Sequence, residues 1–199
     1  MTDDPILRVK GLTKHFTLND GVIDRLLGAT KTVQAVNDVS FEVERGDVFG
    51  LVGESGCGKS TTARSVLQLD VPTDGSVYFE ETDLTEASSK EVRDLRKEIQ
   101  IIFQDPASSL NRRKSIGQIV RQPMRIHGLY EGRQQERVNE LLDMVGIPPS
   151  YSNRHPHQFS GGQRQRVGIA RALAVDPEFI VADEPVSALD VSIQAQILN

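Results

Sequence analysis

Residues 53–60 form a complete G-x-x-x-x-G-K-[ST] motif. Its glycines let the backbone turn tightly, so that successive N–H groups point at phosphate oxygens at the start of a helix. Lys59 adds a positive charge for the β- and γ-phosphates, and Ser60 offers a hydroxyl to Mg²⁺. The motif therefore predicts a nucleotide-binding loop made of Gly53, Glu54, Ser55, Gly56, Cys57, Gly58, Lys59, Ser60 and Thr61.

The surroundings of this loop agree with that prediction. The apolar residues 48–52 come immediately before it and are expected to form the buried strand that leads into the loop. Cys57 is the chain's single cysteine, which excludes an internal disulfide. We interpret it as a small side chain that fits the loop; the alternative is a redox switch that blocks nucleotide binding when oxidised.

Carboxylate and amide side chains follow two other predicted strands. Asp183 directly follows the apolar residues 179–182. It is expected to hold Mg²⁺ through the water shell of the ion, opposite Ser60. Glu184 can reach the water that attacks the γ-phosphate. The amide oxygen of Gln104 could coordinate Mg²⁺ and orient that water. The alternatives are a solvated acidic turn for the pair and a polar residue that closes a strand for Gln104.

A second anion-binding motif consists of Ser160, Gly161, Gly162 and Gln163 at the start of a predicted helix. The backbone N–H groups of a helix N-terminus and the serine hydroxyl can bind an anion. Because the chain already has one phosphate-binding loop, a second is needed only across an interface between two molecules. The alternative is a helix cap followed by glycines that allow close packing.

Composition and charge narrow the class of protein. The net charge of −5 argues against broad nucleic-acid binding, which needs a basic face. No apolar run approaches the ~20 residues of a membrane span. We interpret six basic residues as solvated surface or as contacts with a partner: Arg112, Arg113, Lys114, Arg164, Arg166 and Arg171. A metal site at His155 and His157 is not expected, because no third ligand is evident.

Hydrophobic periodicity predicts an α/β protein. Strands are predicted at residues 6–9, 36–43, 76–79 and 179–182, with a further strand that ends with residues 101–103. Helices are predicted at 60–69, 91–97, about 131–145, 163–174 and from 192 onward. A polar insert covers about residues 19–33. The alternation of strands and helices implies a parallel sheet covered on both faces, with the early strands forming a separate antiparallel piece.

In order and spacing, five motifs resemble those of the nucleotide-binding subunits of ATP-binding-cassette (ABC) transporters: the phosphate loop, Gln104, the segment 160–163, the pair Asp183 and Glu184, and the segment 187–190. Phe159 replaces the leucine that commonly precedes the third motif. The resemblance implies a P-loop NTPase (RecA-like) core at about 48–74, 83–104 and 161–199, an antiparallel β part at about 5–47 and 75–82, and a helical subdomain at about 105–160, all within one domain.

The resemblance also assigns roles to residues. It implies that Glu184 is the general base, and that Ser160 and Gly162 contact the γ-phosphate bound by a second cassette. Asp190 would lie at the same interface. Phe16 stands where the family places an aromatic residue that stacks on adenine; the alternative is a core phenylalanine. The implied cofactors are ATP and Mg²⁺.

Residues 103–111, 156–166 and 188–198 resemble the oligopeptide, dipeptide and nickel importer branch of that family. Arg112 departs from it, since proline is common there. The resemblance implies a peripheral protein on the cytoplasmic face of the membrane, with two permeases, a second cassette, identical or paralogous, and indirectly an extracellular solute-binding protein. Direct contact with nucleic acid is not expected.

The family places a histidine on a strand beyond the last helix, and the sequence ends at Asn199, so we expect a fragment that binds nucleotide weakly and hydrolyses little by itself.

The alternative function is a soluble cassette ATPase that acts on nucleic acid or the ribosome. Such proteins typically carry a long coiled-coil insertion or a tandem second cassette. No sustained heptads lie between Lys59 and Ser160, which excludes a coiled-coil arm in this span, whereas a tandem cassette beyond residue 199 stays open.

Overall fold

The computed structural model describes residues 4–18, 31–104 and 109–183. The chain divides into two compact units, Met1–Arg93 and Asp94–Asn199. The predictions for Glu184, Asp190 and the helix from residue 192 lie outside the described residues, as does most of the predicted polar insert.

The first unit contains a four-stranded antiparallel sheet of order β2-β1-β3-β4. Its strands are β1 (Leu7–Leu18), β2 (Lys31–Val43), β3 (Asp74–Phe79) and β4 (Thr82–Asp83). The first two strands are longer than predicted. Their outer halves pair through register shifts between Val9 and His15, and each shift interrupts the apolar–polar alternation by which a strand is recognised.

One face of this sheet forms the apolar interior of the first unit. The buried apolar side chains of its strands include Leu7, Val9, Leu12, Val36, Val43, Val77 and Phe79. Helix α1 (Lys59–Val66) packs against β1 and β2. It ends earlier than predicted, because Gln68 adopts a left-handed conformation with φ of 52°.

The predicted buried strand at residues 48–52 is wrong. Residues 47–54 have no regular secondary structure, and Val48 and Val52 are 93% and 90% exposed. An apolar strand becomes buried only between neighbouring strands, and within the described ranges no strand pairs with this segment. Phe49 has partial cover, since its ring stacks on that of Phe41 at a centroid distance of 4.9 Å.

The second unit contains two parallel strands. β5 (Ile99–Ile102) pairs with β6 (Phe179–Ala182), with Ile99 opposite Phe179 and Ile102 opposite Ala182. Both strands lie close to their predicted positions. β6 is only partly buried, however, because its neighbours in the described part of the chain cover it on one side alone. The short helix α2 (Ser89–Leu95) precedes β5 in the chain.

Three helices form the apolar core of the second unit: α3 (Ile116–His127), α4 (Gln134–Met144) and α5 (Gly161–Ala172). Helix α4 lies within the predicted helix at about 131–145; it buries Val138, Leu141 and Leu142, and Val145 at its C-cap is also buried. Gly146, with φ of 69°, follows the end of the helix as expected. The core also includes Ile116, Ile119, Val120, Met124, Phe159, Val167 and Ile169.

Candidate nucleotide-binding site

The glycines of the phosphate loop are required by the shape of its backbone. Gly56 and Gly58 have φ angles of 81° and 100°, a conformation that side chains with a Cβ rarely adopt. A Cβ on Gly58 would also lie 2.2 Å from the carbonyl oxygen of Ala35 on β2. Gly58 thus brings the loop against the sheet, and it occupies the N-cap of α1 without a side-chain cap hydrogen bond.

The start of α1 has the features of an anion site. Its first turn contains no acidic residue. The N–H groups of the first turn of a helix have no partner within the helix, and the helix dipole favours negative charge at this end. The predicted phosphate-binding loop therefore has the backbone geometry that its motif implies.

Lys59 is folded back onto the loop. Its Nζ donates hydrogen bonds to the carbonyl oxygens of Gly53 at 2.9 Å and Glu54 at 2.7 Å. The Sγ of Cys57 lies 3.8 Å from the same amine. A Cβ on Gly53 would lie 2.6 Å from that sulfur, so the loop is closely packed around the lysine. The amine lies within the loop that is predicted to bind phosphate.

Phe16 lies near the C-terminal end of β1. It pairs with Val33 on β2, two residues from Ala35, whose carbonyl faces Gly58. Two residues of a strand span about 7 Å. The side chain is 37% exposed, so the alternative of a core phenylalanine is wrong. Its role in stacking on adenine remains a prediction.

Lys14 contacts one face of the Phe16 ring. Its Nζ lies 5.0 Å from the ring centroid and donates a hydrogen bond to the carbonyl oxygen of Val71 at 2.6 Å. A cation over an aromatic face is a stabilising contact. Sequence reasoning missed this lysine, although Lys14 and Phe16 are two residues apart on a strand and so share a face.

Gln104 and Asp183 follow the two parallel strands of the second unit. Asp183 comes directly after β6, and its N–H donates to the carbonyl oxygen of Ile102, the last residue of β5, at 3.0 Å. Gln104 is two residues beyond Ile102. The carboxyl ends of parallel strands meet at one edge of a sheet, so both oxygen-bearing side chains belong to the same edge, as the sequence predicts. Oxygen ligands of this kind suit Mg²⁺.

Ser160 caps α5 with a reciprocal pair of hydrogen bonds. Its Oγ accepts from the N–H of Gln163 at 3.3 Å, and its own N–H donates to Oε1 of Gln163 at 3.0 Å. The helix-cap alternative is therefore confirmed as a local structure. A Cβ on Gly161 would meet nothing within 4 Å, so close packing does not explain that glycine. Within the described part of the chain, the surface beside the cap is open at this position.

Arg171 is less solvated than the sequence predicts, and contact with a partner stays a prediction. Arg171 lies on α5 and is partly buried, and its Nη1 donates to the carbonyl oxygen of Ser109 at 2.7 Å. Burial lowers the pKa of its guanidinium below the ordinary arginine value. A basic residue in a helix is normally read as exposed, so the sequence alone gives no signal for this contact.

The two histidines before α5 stack with ring centroids 5.9 Å apart. Within the ranges that the structure describes, no three histidine, cysteine or acidic side chains are grouped so as to hold a metal ion. In the same ranges, no helix is both long and apolar enough to span a membrane.

A glycine-rich loop that leads into a helix, and a parallel strand pair whose ends carry Gln104 and Asp183, define a P-loop NTPase. A model of the ABC transporter family matches residues 36–187, so the chain belongs to that family.

Similar proteins of known name agree with this assignment. The chain is 49% identical over 198 residues to the oligopeptide transport ATP-binding protein AppF of Bacillus subtilis, which covers 98% of this chain and 59% of that protein. It is 49% identical to OppF of the same organism, with 98% and 62% covered, and 48% identical to a putative peptide import ATP-binding protein of Brucella ovis, with 100% and 60% covered. The chain thus spans about three fifths of the length of these relatives.

A solved structure shares the fold. The dimeric ATP-binding cassette MJ0796, in a post-hydrolysis state bound to ADP and Pi, superposes with a TM-score of 0.84 at 29% identity, covering 96% of this chain and 79% of that one. A second dimeric structure of MJ0796, described as a bacterial ABC transporter cassette, gives a TM-score of 0.85. The ABC cassette fold predicted from the sequence is confirmed.

Proposed function

We propose that this chain binds and hydrolyses ATP as a subunit of an ABC importer for oligopeptides or dipeptides. The observation that carries the proposal is the phosphate loop, where Gly58 lies against Ala35 and Lys59 is folded into the loop. The transport of peptides is supported by the names of the relatives, which are oligopeptide transport and peptide import proteins.

Each residue of the site has a part in this chemistry. The backbone N–H groups of residues 53–61 bind the phosphates, and Lys59 moves from the carbonyls of Gly53 and Glu54 to the β- and γ-phosphates. Asp183, Gln104 and Ser60 would hold Mg²⁺, which when bound neutralises the charge that develops on the phosphates. Glu184 accepts the proton of the attacking water, and Phe16 stacks on adenine.

The second anion site completes the reaction in a dimer. Ser160, Gly161, Gly162 and Gln163 would contact the γ-phosphate of ATP bound by another cassette, identical or paralogous, with Asp190 at the same interface. The dimeric MJ0796 cassettes support this arrangement. In the complete transporter, the cassettes would act on two permeases from the cytoplasmic face of the membrane, and an extracellular binding protein would deliver the peptide.

The domain limits inferred from the sequence belong to the same proposal. Residues 1–199 form one ABC ATPase domain, with an antiparallel β part, a helical subdomain at about 105–160 and a P-loop core. The four-stranded antiparallel sheet supports the first of these parts, and the helices α3 and α4 support the second.

Lys59→Ala in the full-length protein tests the ATP chemistry. We expect hydrolysis to fall by at least about 100-fold and ATP affinity to drop, because the charge that neutralises the phosphates is lost. Lys90→Ala, which removes an exposed lysine outside the loop, should leave both unchanged. Steady-state phosphate release and titration with a fluorescent nucleotide measure the two effects. Equal activity of the Lys59→Ala and Lys90→Ala variants would contradict the proposal.

Co-purification tests the transport role. The full-length protein, tagged in its native cell and extracted gently from membranes, should carry two permeases, a second cassette and a peptide-binding protein. Recovery from the soluble fraction with ribosomal or DNA-bound partners would instead support a soluble cassette ATPase and leave the ATP chemistry intact.

A further inference from the structure

A lysine and a valine border the exposed ring of Phe16 on β1. The Nζ of Lys14 lies 5.0 Å from the ring centroid, a distance at which the negative face of an aromatic ring attracts a cation. Phe16 is 37% exposed, and Val33, which lies opposite it on β2, is 46% exposed. Residues directly opposite each other on paired strands share a face of the sheet, so the two side chains form a small exposed apolar surface.

The position of the Lys14 amine is fixed by the segment that follows α1. Its Nζ donates a hydrogen bond to the carbonyl oxygen of Val71 at 2.6 Å. On one side of Val71, Asp70 accepts a hydrogen bond from Nε of Arg64 on α1 at 2.6 Å. On the other side, the N–H of Thr73 donates to a backbone carbonyl oxygen of β1 at 2.8 Å. Contacts to both α1 and β1 therefore hold the group that binds the lysine.

Helix α1 thus connects the phosphate loop with the surroundings of Phe16. It begins at Lys59 in the loop, and its last turn carries Arg64, which holds the segment that accepts the Lys14 hydrogen bond. A side chain that is already ordered loses no further conformational freedom when a ligand binds. The lysine is therefore in place before any base reaches the ring.

The charge of Lys14 also changes what the ring can bind. Two stacked π systems present negative faces to each other, and this repulsion limits the stability of a stack. A cation on one face of the ring offsets that repulsion for a flat molecule on the opposite face. The arrangement therefore suits an electron-rich base on the face of Phe16 away from the amine.

From these contacts we infer that Lys14 is a positioning residue for adenine: it occupies one face of Phe16, directs the base to the opposite face and strengthens the stack there. The inference rests on the proposed function, in which Phe16 stacks on adenine. Lys14 does not touch the nucleotide; it acts through the ring of Phe16.

The test compares a non-hydrolysable ATP analogue with inorganic tripolyphosphate, which carries phosphates without a base. Calorimetric titration of the full-length protein in about 0.15 M salt, which screens distant charges, measures both affinities. Lys14→Met should weaken binding of the analogue about fivefold and that of tripolyphosphate less than about twofold. In a Phe16→Ala background, Lys14→Met should change the affinity for the analogue less than about twofold, because the ring is absent. Lys14→Arg should keep most of the wild-type affinity, since a guanidinium also binds aromatic faces.

Lys10 provides the matched control. It lies on the same strand, and its Nζ is 5.5 Å from the ring centroid of Tyr78, so β1 carries a second pair of the same kind. Lys10→Met should leave the ratio of the two affinities within about 1.5-fold of wild type. A loss of folded protein lowers the bound amount of both ligands alike, so a merely structural role of Lys14 would not change this ratio.

Four results would overturn the inference: no loss of affinity for the analogue in Lys14→Met, an equal loss for both ligands, the same loss with and without Phe16, or an equal change of the ratio in Lys10→Met. A wild-type protein that binds neither ligand would instead overturn the proposed function. Unchanged affinity for the analogue in Phe16→Ala would overturn the assignment of Phe16 to adenine, and this inference with it.

Discussion

At the scale of single residues, the phosphate loop shows how backbone shape and chemistry depend on the same glycine. Gly58 combines a left-handed backbone with direct contact to the carbonyl of Ala35. Gly46 shares the left-handed backbone, with φ of 87°, but a Cβ there would meet nothing within 4 Å. A side chain at Gly46 would therefore meet backbone strain alone, whereas a side chain at Gly58 would meet both backbone strain and a steric clash.

Replacing each of these glycines by alanine makes the distinction measurable. Gly46→Ala should cost about 1–2 kcal/mol of unfolding free energy, the penalty of a left-handed residue with a Cβ. Gly58→Ala should cost at least about 1 kcal/mol more, because the Cβ displaces the loop from β2. It should also abolish nucleotide binding, which Gly46→Ala should leave intact. Urea unfolding and nucleotide titration measure the two effects, and equal costs would show that the contact with Ala35 is unimportant.

The residues that the sequence could and could not predict differ in the range of their interactions. The shape of the phosphate loop follows from glycines within eight positions, so its motif was sufficient. The burial of Arg171 depends on a carbonyl 62 residues away, and the exposure of Val48 depends on which strands lie beside it. Such properties are set by tertiary neighbours, and no local pattern contains them.

At the scale of elements, two helices begin in the same way. α3 starts at Ser115 and α5 at Ser160, and each serine exchanges two hydrogen bonds with a glutamine three residues later. Ser115 is buried, whereas Ser160 is exposed beside an open Gly161. One capping motif thus occurs once in an interior position and once where a ligand can approach.

Serine-to-alanine changes at these two caps should separate capping from anion binding. Both Ser115→Ala and Ser160→Ala should cost about 1 kcal/mol of unfolding free energy, the typical value of a lost N-cap. Only Ser160→Ala should reduce ATP hydrolysis in the assembled dimer. Chemical denaturation and phosphate release measure the two effects; an equal loss of hydrolysis in both variants would point to helix stability rather than to a contact with phosphate.

The sequence predicts helix α4 as a separate element. Helix α3 is covered only by the predicted helical subdomain at about 105–160. Four apolar residues at helical spacing and a terminal glycine make α4 recognisable. In α3, Pro123 lies inside the helix and removes a hydrogen bond, which is normally a signal that a helix ends. The capping box at Ser115 and the apolar residues Ile116, Ile119 and Val120 were the signals that could have outweighed it.

At the scale of the whole molecule, the proposed function makes the chain one member of an assembly. It spans about three fifths of the length of its relatives AppF and OppF, and the cassette MJ0796 that shares its fold is dimeric in both solved structures. The fold was predictable because its motifs occur in a fixed order. The proposed interface has no signal in the sequence other than the second anion-binding motif.

Glu184→Gln in the full-length protein tests the proposed dimer. Without the general base, ATP should remain bound and hold two cassettes together, so that a stable dimer appears in ATP by size-exclusion chromatography with light scattering. Lys59→Ala combined with Glu184→Gln is the control and should stay monomeric, because it cannot bind ATP tightly. An unchanged dimer population together with unchanged turnover would show that Glu184 is not the base.

Carbonyl oxygens of the phosphate loop compete with phosphate for the amine of Lys59. Two of the donors on its amine are already used by the carbonyl oxygens of Gly53 and Glu54, within the same eight residues. An arriving phosphate must displace these internal acceptors, whose local concentration is fixed by the covalent chain. A ligand with a single weak anionic group gains little from that exchange, whereas a polyphosphate offers several oxygens at once. If the proposed function holds, the occupied lysine would therefore favour triphosphates over small anions.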